Sequence, residues 1–577
     1  MYTNVKNVQI LISLFKQFGI KHFVNSPGTR NTPLVHSIEN DPFFICYSIV
    51  DERSAAYFAL GISEALDVPV CVTCTAATAT CNYMPAIKEA AERNIQLVAL
   101  TADRELYTMF HMADQSIDQV DMYRGYTKYS VDIPKVVNSE DEWYVNRTVN
   151  EALLELDHIT KGPIQINYRV PTLGDFSVKE IPVQRKIDRI EKSIDWDEIK
   201  SILASKKRIV VYIGSNYVED NISLNQEIKR FFESYNSVVF VDHYSNVNFE
   251  EAINTAPLSE SIRATELKQI APELIITFGD IYYSPIKFRF TQINKEFEHW
   301  HISNDGKVND GFKALTKIFK CLPIEFFKNV NKEETNNDKI YYKIWKERFS
   351  KVKYPDLTFT NFSVIRDVVK TIPQNSIIHM SVLNSIRLSN YFKFKGNVKC
   401  FANIGADGID GALSTFLGQA KKTDDLAFLI IGDLSYLYDL NASINIKDKN
   451  IRILVINNYA GAEFHKNFGL KMIPTLNLHI AAGHHSKISQ CKDLMDAEYL
   501  SASNQEELEK NLEKFVNESE KPIILEVFTD ADKDGKILKE FWSINIAPTL
   551  KNKVRKALKK ALGQKGKTIV KRMLKKG

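Results

Sequence analysis

The chain has 577 residues, 44% of them hydrophobic and 25% charged, with a formal net charge of +4. That length exceeds what one hydrophobic core organises and predicts about three domains; the composition is that of a soluble globular protein, without the run of about 18 uncharged apolar residues that reads as a membrane span. Seven scattered cysteines, an odd number, predict a reducing compartment and a cytoplasmic location.

In chain order, MYTNVKNVQILISLFKQFG reads as an amphipathic helix over Asn4–Phe18, without the basic start and small-residue cleavage site of a signal peptide. A strand HFVNSPG follows. Strand FFICYSIVD then leads to helix ERSAAYFALGISEAL, strand PVCVTCTA to helix NYMPAIKEAAER, and strand IQLVALTAD closes the series. Such alternation builds a doubly wound parallel sheet, and residues 1–180 are predicted as a first α/β domain. Cys71 and Cys74 form a C-x-x-C, but inside a strand-like run they read as buried strand residues before they read as a redox or metal pair. After the linker SVKEIPVQRKIDRIEKSID, residues 195–345 give a second α/β set with strands RIVVYIG, SVVFVD and LIITFGD. The polar stretch NKEETNNDK marks the next boundary, and residues 355–545 form a third α/β domain. His479, His484 and His485 lie near Cys491, but no second cysteine pair accompanies them to make a zinc site.

Residues 546–577 are a basic tail. From 551 onward it holds 12 Lys or Arg and no acid, which leaves the rest of the chain at −8. It reads first as a solvated helix or disordered tail. Weak contact with an anionic membrane surface is the second reading, since each basic residue near such a surface adds about 1 kcal/mol. No nucleic acid is expected, because the body lacks a basic face interleaved with aromatics.

The most informative stretch runs from residue 428 to 458. A buried-type strand, Phe428–Ile431, ends in Gly432-Asp433-Leu434-Ser435, and a second, Ile451–Ile456, ends in Asn457-Asn458. A carboxylate and an amide, each after a parallel-type strand, can hold a metal-diphosphate at the carboxyl edge of an α/β sheet. Asp433 and Asn458 offer hard oxygens, Gly432 lets a ligand approach the backbone, and amides after Asp433 can face phosphate. An ordinary strand–turn–helix with a capping Asp is the competing reading, and this stretch leaves both open.

The pattern resembles the thiamine-diphosphate signature, which starts Gly-Asp-Gly and ends Asn-Asn, although Leu434 takes the third place and the spacing is slightly short. The variant GDLS-x-L-x-DLN of Gly432–Asn441 resembles one branch, the 2-succinyl-5-enolpyruvyl-6-hydroxy-3-cyclohexene-1-carboxylate synthases of menaquinone biosynthesis. The resemblance extends over nearly the whole chain apart from the tail. It implies three doubly wound parallel-sheet domains (pyrimidine, central and diphosphate) and the cofactors thiamine diphosphate and Mg2+ or Mn2+. It also implies a homodimer or homotetramer with the active site between the pyrimidine domain of one subunit and the diphosphate domain of another.

Carried over residue by residue, Glu52 in IVDERSAAYFALG matches the glutamate that meets the aminopyrimidine and promotes removal of the thiazolium C2 proton. Asn403-Ile404-Gly405-Ala406-Asp407-Gly408-Ile409-Asp410-Gly411 resembles Asn-Arg-Gly-Ala-x-Gly-Ile-Asp-Gly, in which Ile409 props the cofactor in its bent form. Thr78, Gly432, Leu434 and Ser435 complete the cofactor set, and Ala460 joins Asp433 and Asn458 as a metal ligand. Arg30 in Ser-Pro-Gly-Thr-Arg, Arg104 in Leu-Thr-Ala-Asp-Arg, Gln115, Lys287, Arg387 and Phe464 match substrate-pocket positions.

Several positions depart from the pattern. Ile404 stands where the family has a carboxylate-binding arginine, a loss of about 1.5–3 kcal/mol in binding. Glu463 stands where the family has an apolar pocket residue, and is expected to repel dianionic substrates. Thr75-Ala76-Ala77-Thr78-Ala79 replaces Thr-Ser-Gly-Thr-Ala, and Glu105-Leu106-Tyr107 replaces Pro-Pro-Glu. Asn384-Ser385-Ile386-Arg387 is a shifted Asn-Ser-x-x-x-Arg, leaving Ser381 or Ser385 for the serine role. The expected function is decarboxylation of a 2-oxo acid, 2-oxoglutarate-like, and addition of the carbanion to an acceptor such as isochorismate. A related carboligase or decarboxylase with another 2-oxo acid and acceptor, such as a surface-polysaccharide precursor, is the alternative. A non-catalytic relative acting as a scaffold is a third. Nothing in the central domain suggests flavin.

Overall fold

The computed structural model describes residues 1–546 except 171–172, 192–193, 217–220, 282–283, 294–295, 333–336, 357, 406, 445–446, 467–469 and 471–472. The basic tail from residue 547 onward, with its expected membrane contact, lies outside the described residues, as do Ala406 and parts of the linker and of NKEETNNDK. Contacts divide the chain into two compact units: Met1–Lys192 with Asp305–Lys320, and Ser193–Asn304 with Cys321–Gly577.

In the first unit the N-terminal helix, Lys6–Gln17, buries Val8, Leu11, Ile12 and Phe15, the three-and-four spacing of one helical face. Phe15 meets the edge of Phe23 at 5.4 Å between ring centres. The sheet beneath has six parallel strands: β1 (His22–Asn25), β2 (Ile45–Ser48), β3 (Val70–Cys74), β4 (Leu97–Asp103), β5 (Tyr129–Ile133) and β6 (Ile164–Arg169). Their order is β2-β1-β3-β4-β6-β5. β3 and β4 are buried along their whole length, the mark of strands covered by helices on both faces. Cys71 and Cys74 belong to β3, and burial pushes both thiols up, so neither is a ready thiolate.

The chain continues through β7 (Asp188–Ile190) into the second unit. There β8 (Ile209–Ile213), β9 (Ser237–Val241), β10 (Ile253–Asn254), β11 (Leu274–Phe278) and β12 (Glu298–Ile302) form a parallel array ordered β10-β9-β8-β11-β12. The chain returns to the first unit for β13 (Leu315–Phe319), parallel to β7. The last sheet belongs to the second unit: β14 (Ile377–Met380), β15 (Lys399–Phe401), β16 (Ala427–Gly432), β17 (Ile451–Asn457), β18 (Glu498–Ala502) and β19 (Ile523–Phe528). All its pairings are parallel, in the order β15-β14-β16-β17-β19-β18.

The first and last sheets therefore share one connectivity. In each, the first strand lies between the second and the third, so the chain leaves it towards opposite sides; the carboxyl end of that strand borders a crevice where α/β sheets bind ligands. Residues in the last sheet alternate between two cores. Ile430, Leu454, Ile456 and Leu525 face one cluster, and Leu429, Ile431, Ile453 and Val455 the other. The fold is thus α/β throughout, built on three parallel sheets, as the family resemblance implies.

Candidate active site

At the last sheet's crevice, β16 ends in Gly432 and a short helix, Asp433–Tyr438, begins. A methyl group on Gly432 would meet no atom within 4 Å, so space lies open beside this backbone. Asp433 is buried. Its Oδ1 accepts from the Leu434 N–H at 2.8 Å and its Oδ2 from the Asn458 N–H at 3.1 Å, while His484 Nε2 lies 3.3 Å from Oδ2. Burial pushes the Asp433 carboxyl up, and the backbone N–H groups and His484 oppose that only in part.

The adjacent strand β17 supplies the Asn pair, and its members divide the work. Asn457 is fully buried and donates to Glu526 Oε1 at 2.6 Å and to the Ser486 carbonyl at 3.0 Å, so it ties the sheet edge together. Asn458 is half-buried; its Oδ1 accepts from the Ala460 N–H at 3.2 Å and its Nδ2 donates to Asp534. Asp433 and Asn458 thus place a carboxylate and an amide oxygen on neighbouring strand ends, with the Ala460 backbone two residues further on. A buried carboxylate next to neutral amide and carbonyl oxygens and open backbone fits a hard divalent cation and the diphosphate it carries.

The segment carrying Ile409 joins this edge. Ser435 Oγ donates to the Ile409 carbonyl at 2.6 Å, and Asn403 Nδ2 donates to Thr415 Oγ1 at 2.9 Å. Ile409 is half-buried and Leu434 likewise. Ile404, in contrast, is 6% exposed and sits in the apolar core with Ile386 and Tyr391. Ser381 Oγ lies 3.3 Å from Ser435 Oγ, whereas Ser385 is buried in the helix Asn384–Ser389.

Arg387, on that helix, is ion-paired with Glu463 on the short helix Ala462–Lys466, and the same guanidinium nitrogen donates to Asn384 Oδ1 at 3.1 Å. Glu463 is therefore the counter-ion of a retained arginine and not an isolated negative charge. Phe464 is exposed. Lys287, on the helix Pro285–Ile293, gives its ammonium to the Ile281 carbonyl, and burial lowers its pKa.

In the first unit, the loop after β1 passes close to the loop after β3. A Cβ on Gly28 would lie 2.3 Å from Thr75 Cβ, so glycine is required there. This approach sets Arg30, whose backbone N–H reaches Thr75 Oγ1 at 3.4 Å and whose Nη1 donates to the Val170 carbonyl at 2.8 Å. Arg104, directly after β4, donates from Nη2 to Asp114 Oδ1 at 2.7 Å, and its Nε is buried without a partner. Burial and the nearby Arg104 charge lower the Arg30 pKa, so two guanidinium groups share one region. Asp114, which Arg104 grips, and Asp103 lie close enough to offset part of that shared charge.

Glu52 opens the helix Glu52–Leu66 and is half-buried; Asp51 caps that helix through the Ser54 N–H at 2.7 Å, which leaves the Glu52 carboxylate without a capping task. Thr78 is exposed at the start of Thr78–Cys81. Gln115 is exposed in a left-handed turn with φ 46. Gln119 is the buried glutamine of this segment: it accepts from the Ala77 N–H at 2.7 Å and donates to Asn167 Oδ1 at 3.1 Å.

Sequence reasoning passed over Asp534 as a partner of Asn458 and took His484 only as a weak zinc candidate. Both act over long sequence separations, and only the Asp534 position, in the first turn of the helix Ala531–Asn545, carried any local signal. Among the described residues no helix is long and apolar enough to cross a membrane.

Comparison with known proteins adds three findings. The family model described as thiamine pyrophosphate enzyme, N-terminal TPP binding domain, matches residues 5–122. The chain is 33% identical over 559 residues to the 2-succinyl-5-enolpyruvyl-6-hydroxy-3-cyclohexene-1-carboxylate synthase of Bacteroides thetaiotaomicron, covering 94% of this chain and 99% of that protein. Proteins of the same name from Bacteroides fragilis and Flavobacterium johnsoniae are each 32% identical over 565 and 560 residues, with the same shares covered.

Proposed function

Because the chain belongs to the thiamine-diphosphate-dependent 2-succinyl-5-enolpyruvyl-6-hydroxy-3-cyclohexene-1-carboxylate synthase family, we propose that it is a decarboxylating carboligase of menaquinone biosynthesis. It takes a 2-oxo acid of the 2-oxoglutarate type, releases carbon dioxide and joins the remaining carbon unit to an acceptor, isochorismate in this reading. In class it is a transferase. The observation that carries the reading is the pairing of Asp433 and Asn458 on adjacent strand ends beside open backbone at Gly432.

Thiamine diphosphate, when bound, supplies the carbanion chemistry that no amino-acid side chain offers. The protein's own groups would bind and position. Asp433, Asn458 and the Ala460 carbonyl would hold Mg2+ or Mn2+, and the backbone from Gly432 through Leu434 and Ser435 would face the diphosphate. Ser435 holds the Ile409 segment against this edge, where the Ile409 side chain would pack against the cofactor. Thr78 would contribute a hydroxyl on the pyrimidine side. The Glu52 carboxyl would hold and give up a proton on the pyrimidine side of the cofactor. Arg30 and Arg104 would bind substrate carboxylate, each charge-assisted contact contributing about 1.5–3 kcal/mol, with Gln115, Lys287, Arg387 and Phe464 at the pocket's other positions.

A homodimer, or a homotetramer built from it, would be the active form. The exposure of Val50, Tyr57, Phe58, Leu106, Phe110 and Met112, which flank Glu52 and Arg104 along the chain, supports this, since large apolar side chains left in water favour cover by a partner. The cell compartment proposed is the cytoplasm.

The test is carbon dioxide release from 2-oxoglutarate by the purified protein with Mg2+ and thiamine diphosphate, with and without isochorismate. Release stimulated by isochorismate is the expected result. No release, with the cofactor shown to be bound by calorimetry, would overturn the choice of donor.

A further inference from the structure

We propose that Glu463 is a specificity-determining residue: its carboxylate occupies the Arg387 guanidinium, so a substrate carboxylate arriving there must displace Glu463, while an uncharged polar group need not. The inference rests on the decarboxylation proposed above and concerns which 2-oxo acids that reaction favours.

The placement comes from the sheet. Arg387 follows β14, Asp433 follows β16 and Glu463 follows β17, and these strands are neighbours in the order β14-β16-β17. The ion pair therefore reaches from one strand end to another past the end of β16, where Asp433 lies. Carboxyl-end crevices of parallel sheets are where ligands sit. Glu463 lies three residues beyond Ala460, on the helix that follows the segment carrying Asn458 and Ala460.

The two partners are unequally buried. Arg387 is 8% exposed and held by Asn384, whereas the Glu463 side chain retains 29% of its exposure on a five-residue helix. A buried guanidinium needs a counter-ion, and the more exposed carboxylate is the member able to swing into water. Exchanging one carboxylate for another on the same guanidinium yields little net gain. A donor with a distal carboxylate thus loses the advantage that an unpaired arginine would provide. Ile404 offers no replacement, since it lies in the apolar core.

The holoenzyme, loaded with Mg2+ and thiamine diphosphate, is assayed for carbon dioxide release from 2-oxoglutarate and from two five-carbon acids without the distal carboxylate, 2-oxopentanoate and 5-hydroxy-2-oxopentanoate. Glu463→Gln is expected to raise the kcat/KM ratio of 2-oxoglutarate over 2-oxopentanoate at least about tenfold, through KM. In an Arg387→Gln background the same change is expected to leave the ratio where it was. Glu463→Ile, which also removes the carboxylate, gives the same readout if Glu463→Gln folds poorly. A ratio that stays unchanged in a folded, cofactor-loaded variant overturns the inference while the functional reading stands. Silence on all three donors, with cofactor bound, overturns the functional reading and this inference with it.

Discussion

The side-chain amide of Asn458 donates to Asp534 Oδ2 across 3.1 Å, and Asp534 is itself held by Thr529 Oγ1 at 2.6 Å and by the Asn361 N–H at 2.9 Å. This fixes which end of the Asn458 amide is nitrogen and so turns its oxygen away from Asp534. Groups behind a metal ligand typically alter metal affinity by about 10–100-fold when removed. Asp534→Ala is therefore expected to weaken Mg2+-supported thiamine diphosphate binding within that range. Titration calorimetry on the purified variant measures it. Wild-type affinity would show that Asn458 needs no such support.

Glu52→Gln keeps the shape of the helix start, because Asp51 makes the cap. Cofactor affinity is expected to persist, while proton exchange at the cofactor's C2 slows by about 100-fold or more. Exchange is followed by NMR after quenching in deuterated buffer. An unchanged rate would remove Glu52 from its proposed role.

Ile404→Arg looks from the sequence like the restoration of a carboxylate-binding residue that should increase use of dicarboxylic donors. The structure alters that expectation. Position 404 is 6% exposed and belongs to the apolar core of the last sheet, so an arginine there is a buried, unpaired charge. The expected result is a loss of about 3–5 kcal/mol in stability, read by urea unfolding, without improved use of 2-oxoglutarate. A stable variant with improved turnover would put this side chain in the pocket after all.

His379 on β14 is 1% exposed, with Nδ1 3.0 Å from Gln419 Oε1. Burial lowers its pKa to about 4, against an ordinary 6.5. Below pH 6.5 the unfolded chain takes up a proton that the folded chain refuses, so stability falls as pH drops from 6.5 towards 4, by on the order of 3 kcal/mol over that window. Above pH 6.5 this group contributes no slope. His379→Leu is expected to flatten the dependence between pH 6.5 and 5 in chemical denaturation. An unaltered slope would mean that His379 titrates normally in the folded protein.

Much of the fold was legible because parallel strands covered on both faces are continuous apolar runs. The strand expected at Ile451–Ile456 is observed as Ile451–Asn457, and the helix ERSAAYFALGISEAL spans Glu52–Leu66. The strand FFICYSIVD is observed only as Ile45–Ser48, at the edge of its sheet. Asp433 and Asn458 were legible for a related reason: residues just past a parallel strand arrive at the sheet's carboxyl edge whatever follows. The common connectivity of the first and last sheets was not legible, because strand order leaves no repeated residue pattern.

The sequence by itself determined the α/β class and the residues at the strand ends, since these follow from local periodicity and short-range turns, and the motifs of Gly432–Asn441 and Asn403–Gly411 carried the resemblance that implies three parallel sheets. Only the tertiary structure decided how charges meet. Glu463 reads alone as an added repulsion, but 76 residues separate it from Arg387 and the fold brings them into one ion pair. Likewise Ile404 reads as a pocket wall and is core, and Asn458 reads as a ligand whose orienting partner, Asp534, lies 76 residues away. Electrostatic roles depend on distance and burial, and both are set by packing between segments that no local pattern connects.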